Sequence, residues 1–368
     1  MTSGFVPPPY PQDRLKEIRK LPTVHGHELV DLSIGTPVDP VPAIAMELGE
    51  SLSSARGYPS SAGSAHLREA AATWIGHRFD VEVGIDAIGA CVGSKEFVSS
   101  LPQYLKLRDP SRSTVLYPAV SYPTYAMGAT LAGCNAVAVP ISKDGELDLD
   151  SLSPDVLKDT LCCWVNSPAN PTGQISGFDR VVEMGREHGF VVVSDECYVE
   201  FAWASAPATV LEYGPHGVLA LHSLSKRSNF AGGRVGFYAG DQSLVSYLSE
   251  VRKHAGLMVP GPIQIIAAAL LQDQEHVDVQ RALYRERLEV LIQIATALGF
   301  EAKFPEGGFY IWVDGGELDG FELAATFASR TGIVGSPGEF YGDASKNFLR
   351  IAAVAPTNRL ASIAASLL

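Results

Sequence analysis

One lysine in this chain, Lys226, stands among small hydroxyls, with Ser223 and Ser225 before it and Ser228 after it. A glycine-rich turn that carries an arginine follows, Ala231-Gly232-Gly233-Arg234. A lysine amine held in a shielded, cationic pocket becomes a covalent catalyst, because it condenses with a carbonyl. Hydroxyls and an arginine are groups that receive a phosphate. Pyridoxal 5′-phosphate (PLP) has both an aldehyde and a phosphate, so positions 223–234 offer the amine and the anion site that it requires. A surface Ser/Lys loop has a similar composition, and partners elsewhere in the chain decide between the two readings.

In open α/β sheets, ligands sit at the carboxyl ends of the strands. Polar residues in this chain cluster just after its apolar runs. Val191-Val192-Val193 is followed by Ser194, Asp195, Glu196, Cys197 and Tyr198. A buried aspartate is costly unless it meets a cation, and a protonated pyridine nitrogen is such a cation; that pairing makes the ring an electron sink. Taken alone, Asp195 equally suits a helix cap or a metal ligand. The run 162–173 ends a strand with Asn166, Asn170 and the turn Asn170-Pro171-Thr172-Gly173, which is turn chemistry first. Val92-Gly93-Ser94-Lys95-Glu96 passes from a strand into a helix, whose first amides would face a phosphate. Tyr122 falls at another strand end, where its ring would stack on a flat ligand or pack.

These segments need a scaffold that brings strand ends together. Short β-rich runs at 88–92, 114–117, 136–140, 161–166, 190–194, 218–222 and 234–239 alternate with helical patterns at 96–105, 125–131 and 180–188. That alternation predicts βαβ units and a mostly parallel sheet of seven strands between helices, an α/β fold. After about residue 255 the pattern changes. Pro260-Gly261-Pro262 leads into a long helical pattern at 277–298, then a strand at 308–313, a helix at 322–330 and a strand at 347–354. The expected organisation is an N-terminal arm (1–40) joined to a smaller α+β domain (256–368), with a large domain (41–255) between them. The length of 368 residues suits two domains on a prior of ~100–200 residues each.

Composition narrows the partners. A formal net charge of −13 argues against nucleic acid or an anionic membrane surface. The five cysteines sit in apolar runs without C-x-x-C spacing, which suits buried free thiols in a reducing cytoplasm. The nine histidines show no H-x-x-x-H and no pairing with cysteines, so no metal is expected. The first twenty residues have no apolar core segment, and no window reaches the ~20 apolar residues of a membrane span. A soluble cytoplasmic protein is the expectation. A nicotinamide dehydrogenase shares the βαβ alternation, but no G-x-G-x-x-G follows a strand. A PLP-sensing regulator would need a DNA-binding segment, for which the arm is too short.

With these motifs in order, the chain resembles the fold-type-I, class I/II PLP-dependent aminotransferases over essentially its full length. The resemblance implies that Lys226 forms the Schiff base with PLP and then moves the proton between substrate Cα and the cofactor. It implies that Asp195 pairs with the pyridine nitrogen, that Asn170 and Tyr198 bind the 3′-oxygen and that Tyr122 stacks on the ring. Ser223, Arg234 and the amides of Ser94, Lys95 and Glu96 would hold the phosphate. Tyr58, in Gly57-Tyr58-Pro59-Ser60, would reach the phosphate of a neighbouring subunit, which implies a homodimer with shared active sites; a plain turn residue is the other reading. Arg350, in Asn347-Phe348-Leu349-Arg350-Ile351, would bind the substrate α-carboxylate with help from Asn170, where a structural salt bridge is the alternative. Gly35 would line the substrate entrance. Phe309 and Tyr310 would form a wall or simply pack.

The strings Asp31 to Pro42, Ser194 to Tyr198 and Val251 to Gly256 are similar to actinobacterial-type N-succinyldiaminopimelate aminotransferases. That similarity implies ping-pong transfer from glutamate to N-succinyl-2-amino-6-oxopimelate, on the diaminopimelate route to lysine. Lys95, Arg227, Lys253 and His254 are candidates for the distal succinyl carboxylate. An aspartate or aromatic aminotransferase, or a C–S lyase of the same fold, would keep every cofactor residue.

Overall fold

Seven apolar runs of the chain form one sheet in a computed structural model, which describes residues 8, 10–48, 56–142 and 145–367. Numbered within that sheet, the strands are β1 (Ile88–Cys91), β2 (Thr114–Pro118), β3 (Asn135–Val139), β4 (Thr160–Asn166), β5 (Val191–Asp195), β6 (Val218–Ser223) and β7 (Gly236–Gly240). Their order is β1-β7-β6-β5-β4-β2-β3. β7 runs antiparallel to both neighbours and every other pair is parallel. Strands covered on both faces must be apolar throughout, and every residue of β4 is buried. Trp164, Val193 and Leu221 pack on one face, while Val165, Val192 and Ala220 pack on the other. The expected α/β class with a mostly parallel seven-stranded sheet is therefore found.

Helices Ser94–Arg108, Thr124–Leu131 and Asp179–His188 stand where the periodicity predicts them. The last stops at Gly189, whose φ of +73° closes the helix in the left-handed conformation. One strand departs from expectation. It begins at Gly236 rather than at Arg234, because Arg234 takes a left-handed conformation (φ +49°, ψ 55°) at the end of the 3₁₀ turn Ala231–Gly233. Only a residue held by its surroundings keeps that geometry without being glycine.

The chain divides into two compact units. The larger comprises Thr36–Arg285 and Pro305–Phe309, and the smaller comprises the residues up to Gly35, Glu286–Phe304 and those from Tyr310 onward. This division falls later than the boundary suggested by the sequence at 255. Helix Gly261–Gln272 places Ile266, Ala267, Leu270 and Leu271 in the same core as Leu67, Ala70 and Ile75 of helix Ala65–Phe79, which assigns it to the larger unit. The smaller unit has a four-stranded antiparallel sheet ordered Ser336–Pro337, Phe348–Ala352, Tyr310–Asp314, Glu301–Ala302. The N-terminal arm adds Val30–Asp31, paired in parallel with Ile333–Val334. Residues 1–7 and 9 of the expected arm lie outside the described residues. Among the described residues, no helix is long and apolar enough to cross a membrane.

Candidate active site

The carboxyl ends of β1, β2, β4, β5 and β6 lie along one edge of the sheet, where β7 begins, and this edge gathers the polar segments picked out above. Asp195 ends β5 and is 6% exposed. Its carboxylate accepts a hydrogen bond from the Tyr125 hydroxyl at 2.9 Å and one from the Cys197 amide at 3.3 Å. Burial raises its pKa above the usual carboxylate range, opposed by the hydrogen bonds from Cys197 and Tyr125. Among the described residues, the groups that shift it are Cys197 and Tyr125, neither of them a cation. A carboxylate enclosed in this way is stable as an anion only beside a positive group.

The neighbouring strand end is tied to it. Asn166, opposite Asp195 in the ladder, donates through Nδ2 to the Asp195 carbonyl at 2.8 Å and accepts the Asn170 amide at 2.7 Å. Asn170 is thereby held in the buried turn beyond β4, where the Ser167–Pro168 and Asn170–Pro171 peptides are cis. Tyr198 follows Asp195 by one turn of chain and meets Phe309 edge-on, with ring centroids 5.5 Å apart. The Lys226 Nζ lies 5.8 Å from the centroid of the same Phe309 ring. Phe309 thus neighbours both side chains.

Lys226 occupies the short helix Leu224–Arg227, which follows β6 directly and is capped by the Ser223 hydroxyl accepting from the Ser225 amide. Arg227, next to it, is 3% exposed and donates to Glu200 at 2.8 Å. Glu200 also receives Trp74 Nε1 at 3.0 Å and faces Arg78 at 3.0 Å. This enclosed ion pair anchors the helix, and it removes Arg227 from the candidates for a distal substrate carboxylate. Lys95, Lys253 and His254 are exposed.

Gly93, with φ +75°, turns β1 into helix Ser94–Arg108 and brings no side chain to cap the first-turn amides. A Cβ on Gly93 would collide with the Arg234 guanidinium, so only glycine permits this approach. Arg234 donates to the Ala231 carbonyl at 3.0 Å and to the Val92 carbonyl at 3.4 Å. An arginine, a hydroxyl and the first-turn amides of a helix at one strand edge form a donor set suited to a phosphate. Tyr122 meets Tyr125 edge-on, at 5.9 Å between centroids, and Lys95 Nζ lies 6.0 Å from the Tyr122 ring. The residues of this edge therefore fit PLP: an enclosed acid, a phosphate cradle, aromatic rings and a lysine.

Tyr58, Arg350 and Gly35 complete the expected site residues. Tyr58 is 98% exposed. In the smaller unit, Arg350 is buried, donates to the Ser33 carbonyl at 2.7 Å and lies 4.2 Å from the Tyr310 ring centroid. Gly35 presses against the Tyr310 hydroxyl so closely that a Cβ would overlap it. Two contributors went unassigned in the sequence. Tyr125 is the second tyrosine of the Tyr122 segment, and Asn166 is the first of two asparagines at its strand end; each bond to Asp195 spans many residues, and no local pattern marks it.

Beneath the edge, Glu196 and His222 are both buried, with Oε2 and Nε2 3.4 Å apart. Burial pushes Glu196 up to about 8 from an ordinary 4.5, and pushes His222 down to about 3 from 6.5. The Glu196 contribution to stability is full below pH 4.5 and is lost as pH rises through 8; that of His222 is full above pH 6.5 and is lost as pH falls toward 3. Between pH 6.5 and 8 only Glu196 of this pair acts, and stability is expected to fall by about 2 kcal/mol. Glu196→Gln should flatten that stretch. Denaturant unfolding of both proteins at the two pH values checks it, and equal losses would refute it.

Comparison with known proteins places these features in context. The family model described as "Aminotransferase class I and II" matches residues 27–367. A protein named probable aminotransferase from Mycobacterium tuberculosis is 38% identical, over 96% of this chain and 84% of its own length. A 4-dedimethylamino-4-oxo-anhydrotetracycline transaminase from Streptomyces rimosus is also 38% identical, over 98% of this chain and 99% of its own. Among solved structures, a probable N-succinyldiaminopimelate aminotransferase from Thermus thermophilus superposes with a TM-score of 0.86 at 27% identity, covering 97% of this chain and 99% of that one.

Proposed function

We propose, from the premise that the chain belongs to the PLP-dependent class I and II aminotransferase family, that it moves an amino group from glutamate to N-succinyl-2-amino-6-oxopimelate. The observation that carries the catalytic part is the enclosed Asp195 carboxylate, its pKa raised by burial, on the sheet edge that also bears Lys226. PLP supplies, when bound, a heterocycle that takes up the charge left at a substrate carbon. Lys226 would hold the cofactor covalently and would carry the proton at the substrate carbon. Asp195 holds the proton on the ring nitrogen. Asn170 and Tyr198 hydrogen-bond the 3′-oxygen, and Tyr122 covers the ring face. Ser223, Arg234 and the amides of Ser94, Lys95 and Glu96 hold the phosphate, which is an orienting role.

Arg350 binds the substrate α-carboxylate as a two-pronged donor, with help from Asn170, and Gly35 lines the entrance. Tyr58 completes the phosphate site of a second copy, so the working form is a homodimer in the cytoplasm. The Thermus structure supports the succinylated acceptor. The Streptomyces relative, named for a tetracycline intermediate, shows that this sequence neighbourhood includes other acceptors.

The test is an assay with glutamate and a panel of 2-oxo acids. The succinylated acceptor is expected to give the highest kcat/KM, by about tenfold or more over oxaloacetate and aromatic oxo acids, the order that a few well-placed pocket contacts provide. Preference for another acceptor would overturn the substrate assignment and leave the aminotransferase chemistry standing.

A further inference from the structure

The first turn of helix Ser94–Arg108 holds a carboxylate where an anion is to be received. Glu96 is the third residue of that helix, and its Oε2 accepts the Val92 amide at 3.1 Å while its Oε1 accepts the Ser100 hydroxyl at 2.9 Å. An uncompensated negative charge there would repel a phosphate arriving at the same helix end. The compensation comes from far along the chain. Arg252, near the end of helix Gln242–His254, donates from its two terminal nitrogens to the two Glu96 oxygens, each at 2.7 Å. Its side chain is wholly enclosed, with the guanidinium carbon 5.5 Å from the Phe97 ring centroid and 5.8 Å from that of Tyr238. Those two rings stack on each other at 4.4 Å. A planar fork seated against aromatic faces holds its partner in a single geometry.

We propose that Arg252 is a positioning residue for cofactor binding: it neutralises Glu96 and fixes the start of helix Ser94–Arg108 so that the amides there donate to the PLP phosphate. The inference rests on the phosphate seat assigned above. Arg252 touches neither cofactor nor substrate and acts through Glu96. Removing it leaves the partly buried Glu96 carboxylate without its cation beside the incoming phosphate, and the harm falls on phosphorylated ligands.

The experiment compares equilibrium binding of PLP and of unphosphorylated pyridoxal to the purified full-length protein and its variants, by absorbance and intrinsic fluorescence. The wild-type protein is expected to prefer PLP strongly. Arg252→Met should weaken PLP binding about 10- to 100-fold, the range seen when a group orienting a ligand's direct contacts is lost, while pyridoxal binding stays within about twofold. Adding Glu96→Gln to Arg252→Met should restore most of the lost PLP affinity, because the repelling charge is gone. Should Arg252→Met fail to fold, Glu96→Gln alone decides: PLP affinity equal to or above wild type supports the proposal, and a loss specific to PLP overturns it. Equal weakening of PLP and pyridoxal, or an unchanged ratio in Arg252→Met, overturns it too. A wild-type protein that binds both ligands equally would instead defeat the phosphate seat itself, a result distinct from failure of the Arg252 role.

Discussion

Lys226→Ala is expected to lose the covalently held cofactor and about 10⁴-fold or more of its turnover, the upper end of what a positioned proton-transfer group contributes, with the covalent link lost as well. The fold should survive. The side chain is only partly buried, and the helix carrying it is fixed by the Ser223 cap and by the Arg227–Glu200 pair rather than by the lysine amine. Borohydride reduction followed by intact-mass measurement reads the covalent adduct, and the visible absorbance band before and after glutamate reads the first half of the transfer. An adduct in the wild-type protein and none in the variant is the expected pair of results. If Lys226→Ala kept both colour and turnover, the assignment of the nucleophile would be wrong.

Asp195→Asn separates stability from catalysis. The asparagine keeps the volume, its oxygen can accept the Cys197 amide while its Nδ2 donates to the Tyr125 hydroxyl oxygen, and it relieves an enclosed carboxyl whose pKa burial has raised. The cofactor-free variant should therefore unfold at the same temperature as wild type or higher. Turnover should drop about 10³-fold, the size of effect seen when one preorganised electrostatic partner is removed. The loss belongs in kcat with little change in the KM for glutamate, since the carboxylate acts on charge that develops during reaction. Thermal unfolding and steady-state kinetics on the same preparations check both halves, and a fall in stability with unchanged kcat would show that Asp195 is structural.

How much was legible follows from the range over which each signal acts. Lys226 among hydroxyls, the acid after Val191-Val192-Val193 and the glycine before Ser94 are local features, each written within a few residues. The strand alternation is likewise local, because burial on both sheet faces demands unbroken apolar runs, and the seven-stranded α/β sheet could be anticipated from it. Arg227 shows the limit: beside the active lysine in sequence it reads as available to substrate, yet its guanidinium is turned inward to Glu200.

The chain order alone settled which residue types sit at the strand ends and so what chemistry was available. Folding decided the pairings among them. Tyr125 reaches Asp195, Asn166 links two strand ends, and Arg252 closes on Glu96 across 156 positions. Folding also set Arg234 in a left-handed turn just ahead of β7 and assigned helix Gly261–Gln272 to the larger unit's core. The physical reason is that periodicity records which face of an element is covered, whereas the partner of a buried charge depends on how distant elements pack, and nothing in the intervening residues encodes that distance.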